Sequence, residues 1–368
     1  MRPALRILIC LALTQFSWGQ DTDKKAFFQA PPNSVLTATD LHIHTVFSDG
    51  SVWPNIRVDE ALREGLDLIA LTEHLEYQPH SKDLPHPDRN RSFEIAQGHL
   101  GANKNLRVVN GSEITRSMAP GHINAVFIEN ANALLHKDSL SGIVAANKQD
   151  AFVFWNHPDW PAQRLDGIAR LEPFHEYLIK NKLLHGIEVV NEHTFSEEAL
   201  ELALKHKLTI LGTSDIHGLI DWTFEIPEGG HRPMTFVWAE NDSNDALKKS
   251  LKNRKTIVWY KDLLIGEAAH IAPVLLANLT GKSMGYEGKT LIANVQLNNL
   301  SALPMQLDYL GDYSFLEHGN LITLPPYSSL TLRIRTRNKE ADLLLPFRVR
   351  NVMIGAKTNP VVPIKVVF

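Results

Sequence analysis

The chain has 368 residues, enough for one large and one smaller domain at the usual ~100–200 residues each. Its formal charge of −4, with 37 basic residues scattered among 41 acids, leaves no broad basic face and disfavours extended DNA or RNA as a partner. The single cysteine, Cys10, excludes a disulfide framework.

At the N-terminus Arg2 and Arg6 stand ahead of an apolar run over 7–13, and small residues Ser17 and Gly19 follow at a spacing suited to signal peptidase. The run is too short to cross a bilayer, so 1–19 reads as a cleaved secretory signal and not a membrane span. Leu8 and Ile9 precede Cys10 where a lipid anchor would want a small residue. The expected product is a soluble, secreted or periplasmic protein of formal charge −6 with no thiolate to offer a metal.

A polar leader over 20–38 follows. Short runs rich in Val, Ile and Leu then predict strands at 40–44, 66–72, 107–113, 123–128, 152–157, 186–191, 208–214 and 233–239. Helical periodicity lies between them at 57–64, 139–148, 174–182, 196–207 and 244–253, the fourth opening with Ser196 as N-cap ahead of two acids. Alternating β and α elements predict parallel strands, closed into a barrel or laid out as a doubly wound sheet, over a domain at 39–270. Beyond it, 271–368 loses the helical period and shows apolar or alternating runs at 273–279, 290–297, 305–309, 330–335, 343–349 and 361–368. That texture predicts a small all-β sandwich with a structural or docking role.

Polar residues cluster at the C-terminal ends of the predicted strands. His42 and His44 point to one face of a strand, because side chains alternate with period two, and so form a chelating pair. Asp49 follows on a Ser-Asp-Gly turn; Thr72-Glu73-His74, Gly111-Ser112-Glu113, Gly121-His122, Asn156-His157 and Ser214-Asp215-Ile216-His217 close later strands. One histidine at a strand end is more often a satisfied rim residue, but nine groups in one register converge on the mouth where barrel active sites are built.

In these motifs the chain resembles the PHP (polymerase and histidinol phosphatase) family of metal-dependent phosphoesterases over roughly 40–266. The phrases at 41–53, 71–91 and 231–239 are most similar to its secreted bacterial phosphodiesterases. The resemblance implies a distorted (β/α)7 barrel with three divalent ions. One would be held by His42, His44, Glu113 and Asp215; a second by Glu113, His122 and His157; a third by Asp49, His74 and His217. The family often has Asp where this chain has Glu73, which implies an altered hydrogen bond and not a lost ligand.

Nitrogen and oxygen ligands suit zinc, manganese or iron. Water between two ions would lose its proton near pH ~7 and attack phosphorus, with Glu113 and Asp215 shaping the centre and Arg116 forking onto a phosphate oxygen. His80, His193, His231 and Arg232 are candidates for lining the substrate site, and Tyr77 and Trp160 for an apolar wall beside an organic ester group. The remaining histidines, and the lysines at 248–255, read as ordinary surface or core residues. The expected substrate is a small phosphate ester, diesters foremost. Phosphomonoesters, a carboxyl ester or amide hydrolysed on the same barrel, and a non-catalytic secreted metal-binding protein are the competing readings.

Overall fold

The computed structural model describes residues 26–368, so the signal segment and Cys10 lie outside the described residues. The first domain contributes strands β1 (Val35–Asp40), β2 (Leu68–Leu71), β3 (Arg107–Ile114), β4 (Ile123–Val126), β5 (Phe152–Trp155) and β6 (Gly186–Asn191). It continues with β7 (Thr194–Phe195), β8 (Thr209–Thr213), β9 (Met234–Ala239), β10 (Thr256–Tyr260) and β11 (Leu263–Gly266). Its helices are α1 (Pro54–Glu64), α2 (Arg91–Leu100), α3 (Ser139–Lys148), α4 (Pro173–Lys180), α5 (Glu197–His206), α6 (Ile220–Thr223), α7 (Asn244–Lys252) and α8 (Ala268–Asn278). Ser196 caps α5 as its side chain accepts from the Ala199 N–H at 3.1 Å.

The strands form one curled sheet in the order β11-β10-β9-β1-β2-β3-β4-β5-β6-β7, with β8 also paired to β6. Pairing is parallel through β1, β2 and β3 and again through β5, β6 and β8, as the βα alternation predicts. β4 and β9 run antiparallel to their neighbours, a departure from the uniform parallel order. For β4 the cause is chain length: eight residues separate it from β3, fewer than the dozen or so a parallel crossover requires. The sheet curls until β8 meets β9 through a side chain. The Thr235 hydroxyl donates to the Gly212 carbonyl at 2.8 Å and accepts from its N–H at 2.9 Å. Gly212 permits that approach, since a Cβ there would fall 2.3 Å from Val258 Cγ1.

Two boundaries move from their sequence expectation. β1 starts at Val35, inside the presumed leader, because 35–39 pairs with β9; it ends at Asp40, and only Ile43 continues the contact as a single bridge to Ile216. The apolar run at 273–279, expected as a strand, lies through Asn278 in the last turns of α8 with Pro273 inside it, and only Leu279 belongs to a strand. A short apolar run is ambiguous between the two periods, and here Ile271, Val274, Leu275 and Asn278 share one buried helical face.

The C-terminal region is all-β from Leu279: β12 (Leu279–Tyr286), β13 (Ile292–Asn299), β14 (Met305–Tyr309), β15 (Ser314–Phe315), β16 (Leu321–Leu324), β17 (Ser329–Arg335), β18 (Asp342–Val349), β19 (Val352–Met353) and β20 (Val361–Val367). Two four-stranded sheets, β12-β13-β17-β15 and β16-β14-β18-β20, face each other with every second residue of β13 and β20 buried between them. β19 leaves this sandwich to pair in parallel with β11, and one apolar cluster runs from Phe236 and Trp259 through Ile271 to Leu297 and Leu345. The two regions therefore share a core.

Candidate metal centre

Beyond β1 the chain carries His42 and His44 into the half-barrel, both fully buried. Their Nε2 atoms lie 3.0 Å apart, and each is 3.1 Å from Asp215 Oδ1. Glu113 sits at the hub: its Oε1 is 3.6 Å from His42 Nε2, 3.0 Å from His122 Nδ1 and 3.5 Å from His157 Nε2, while its Oε2 contacts His74 Nδ1. Asp49 faces His74 Nε2 at 3.3 Å and His217 Nε2 at 3.2 Å. Three overlapping groups emerge in which ligand atoms lie close enough to share an ion: His44, Asp49, His74 and His217; His42, His44 and Glu113; His74, Glu113 and His122. His157 and Asp215 adjoin these groups and line the same cavity of about 190 Å³.

The backbone is bent to bring these groups in. His157 has φ 26° and Asp215 φ 49°, left-handed values that cost ~1–3 kcal/mol each for residues with a side chain. Surrounding groups hold them there. Glu188, buried on β6, accepts from His42 Nδ1 at 2.8 Å, the Thr213 hydroxyl at 2.6 Å, the His157 N–H at 2.7 Å and Asn191 Nδ2 at 2.9 Å. Glu188 keeps a proton on His42 Nδ1, so Nε2 is the ring nitrogen that would face a cation in the cage. His217 is fixed in the same way, its Nδ1 donating to the Asp215 carbonyl at 2.7 Å. Arg57 of α1, fully buried, donates to the carbonyls of His44, Ile216, His217 and Gly218 at 2.7–3.1 Å and pairs with Glu60 at 2.8 Å.

Three buried oxygens in the cage, Asp49 Oδ1, Glu113 Oε2 and Asp215 Oδ1, lie against imidazole nitrogens of the same cage without an aligned hydrogen bond. Among the described residues no lysine or arginine lines the cavity. Burial opposes the charged form of His42, yet Asp215, Glu188 and Glu113 outweigh it and push the imidazole up to about 10. His74 is likewise pushed up to about 11 by Glu113 and Asp49 against the effect of burial. His44, in contrast, is held down to about 3 by burial and by His217 and His74. A pocket that crowds three carboxylates and attracts protons onto imidazoles calls for cations. Divalent ions fit this donor set of nitrogen and oxygen.

A two-domain protein of Bacteroides vulgatus containing a predicted PHP-like metal-dependent phosphoesterase shares 35% identity with the chain. The match covers 93% of this chain and 98% of that one, with a TM-score of 0.85. The chain belongs to the PHP-like metal-dependent phosphoesterases. An Ig-like domain family matches residues 279–365, the sandwich of this PHP-like phosphoesterase. PsfC of Pseudomonas syringae shares 17% identity over 66% of this chain and 96% of its own, with a TM-score of 0.44, too slight a likeness to carry an argument. No curated protein matches the chain.

The expected substrate contacts are dispersed in this PHP-like enzyme. Arg232 is fully buried and engaged by Asp40 at 2.9 Å and Glu64 at 2.6 Å, which makes it a scaffold residue instead of a phosphate ligand. Arg116 Nη2 pairs with Glu76 at 2.6 Å and donates to the His136 carbonyl at 2.6 Å, and the residue lies outside the lining of the metal cavity. His231 stacks on Trp259 at 3.8 Å and, with His193, lines a separate cavity of about 610 Å³ between the two regions. His80 lies in the loop after β2, half-buried, outside the lining of the metal cavity. Glu73 accepts from the Ser48 and Thr45 hydroxyls at 2.5 Å and belongs to none of the three candidate ligand groups. Glu188 and Arg57 are the functional residues that sequence reasoning missed.

Proposed function

We propose that this protein hydrolyses small phosphate esters, diesters ahead of monoesters, outside the cytoplasm, with three divalent cations in the cage. One would be held by His42, His44, Glu113 and Asp215, one by Glu113, His122 and His157, and one by Asp49, His74 and His217. The observation that carries this reading is the convergence of six imidazoles and three carboxylates on one cage, four of the imidazoles lining its cavity, with three carboxylate oxygens that meet no aligned hydrogen-bond donor. When bound, divalent ions supply Lewis acidity, which draws in a phosphate, offsets charge on its oxygens and lowers the pKa of water toward ~7.

The chain's own groups do the positioning. Glu188 holds the His42 proton on Nδ1, the Asp215 carbonyl holds the His217 proton on Nδ1, and Arg57 fixes the backbone of His44 and His217. Asn156 Nδ2 donates to Glu113 Oε1 at 2.7 Å and orients the hub carboxylate. In the overall reaction a water oxygen bonds to phosphorus, one ester P–O bond breaks, and the departing alcohol takes up a proton.

The test is a panel of bis(4-nitrophenyl) phosphate, 4-nitrophenyl phosphate and 4-nitrophenyl acetate with Mn²⁺, Zn²⁺ or Fe²⁺ supplied. The diester is expected to turn over fastest. A protein that favours the acetate, or that hydrolyses no phosphate ester with any of these ions, overturns the reading.

A further inference from the structure

The metal cavity, about 190 Å³, is smaller than the ~300–1,000 Å³ of pockets that enclose a whole small-molecule ligand. It has room for a phosphoryl head, so the group esterified to that phosphate must rest on the rim. Trp160 forms part of this rim. Its ring lies 5.6 Å from that of His122 and 5.2 Å from that of His157, and it lines the cavity while 43% exposed.

The position of Trp160 is fixed by its backbone. Its N–H donates to the His157 carbonyl at 3.0 Å, and its own carbonyl accepts from Gln163 at 2.9 Å and Arg164 at 2.8 Å. Tyr77, 52% exposed, stands edge-on to His74 at 5.7 Å and adds a second exposed ring beside a candidate ligand. A single exposed aromatic needs no explanation, but two exposed rings flank the histidines of one cage, and Trp160, the one of the two that lines its cavity, offers the platform.

Charge narrows what can lie on it. Glu192 is exposed where it lines the cavity, and among the described residues no lysine or arginine lines it. The rim therefore offers a second anionic group no basic side chain, whereas a neutral π-system meets an indole face. From this we infer that the substrate is a phosphate ester whose organic portion is a neutral planar ring stacked on Trp160. The inference rests on the proposed phosphoester hydrolysis and makes Trp160 its specificity-determining residue.

Phenylphosphonate and methylphosphonate, which share a head group and resist hydrolysis, test this by calorimetry on the full chain loaded with Mn²⁺. Phenylphosphonate should bind at least about tenfold tighter, in line with the worth of ring stacking. The preference should fall to within about twofold in Trp160→Ala and survive largely in Trp160→Phe, which keeps a ring and guards against a folding defect. A wild-type preference below twofold, an undiminished preference in Trp160→Ala, or no binding of either phosphonate overturns the inference. Discrimination as expected without hydrolysis of bis(4-nitrophenyl) phosphate would leave the platform standing and sink the hydrolytic reading alone.

Discussion

Replacing Glu188 by glutamine keeps its shape and removes an acceptor where four donors converge. If the new amide nitrogen faces His42, the Thr213 hydroxyl can rotate to accept from it, but His42 Nδ1 must then give up its proton. The proton moves to Nε2, the nitrogen 3.1 Å from Asp215 Oδ1, and His42 can no longer bind a cation. If the nitrogen faces the other way it meets the His157 N–H, a backbone donor that cannot turn, and Asn191, whose amide also donates to Asp215 Oδ2 at 3.2 Å. Either orientation leaves at least one buried donor unmatched at ~1–3 kcal/mol, and loss of such a histidine partner costs 10–100-fold in metal affinity or activity. Glu188→Gln should therefore weaken divalent-ion binding about 10–100-fold, read by competition against a chromophoric chelator, with a parallel fall in aryl phosphate hydrolysis. Wild-type affinity and rate, within twofold, would refute the reasoning.

Arg57→Met strips four carbonyls of their donor and leaves buried Glu60 uncompensated, so urea denaturation in a chelator should show a loss of about 3–5 kcal/mol, with partial recovery in Arg57→Lys. An unchanged transition would contradict the clamp. His175 is held down to about 4 by burial, its Nδ1 accepting from the Glu172 N–H and its Nε2 donating to the Pro120 carbonyl at 2.7 Å. The unfolded chain takes up this proton near pH 6.5, so stability falls as the pH drops from there toward 4, by about 3 kcal/mol for this one group. His175→Gln should flatten that decline in metal-free protein, and an equal pH slope in both proteins would count against it. N-terminal sequencing of protein recovered outside the cytoplasm should begin at Gln20, and a retained Met1 would dismiss the export reading.

The histidines and acids of the cage were legible because each falls just past a β-like run, where period-two alternation and barrel topology send side chains to one mouth. The residues that orient them were not. Glu188 sits in Gly-Ile-Glu-Val-Val-Asn, where alternation separates two faces without saying which one looks into the cage. Arg57 lies on a helix rich in charged residues, indistinguishable by composition from a solvent face, and only tertiary packing places it under two ligand-bearing turns. His231 and Arg232 are adjacent in sequence and lie just before β9, yet one stacks in the cleft between the regions and the other is buried against Asp40. α8 was hidden by its apolar run and its internal proline, both of which suit a strand edge in isolation.

Elemental analysis of the purified protein, paired with turnover of bis(4-nitrophenyl) phosphate before and after chelation, bears most directly on the metal cage. Occupation of the three overlapping ligand groups predicts more than one divalent ion per chain, hydrolysis abolished by the chelator, and activity regained when Mn²⁺ or Zn²⁺ is returned. A chain that takes up no divalent ion when supplied with them, or turnover that persists undiminished after the ions are stripped, would contradict the account.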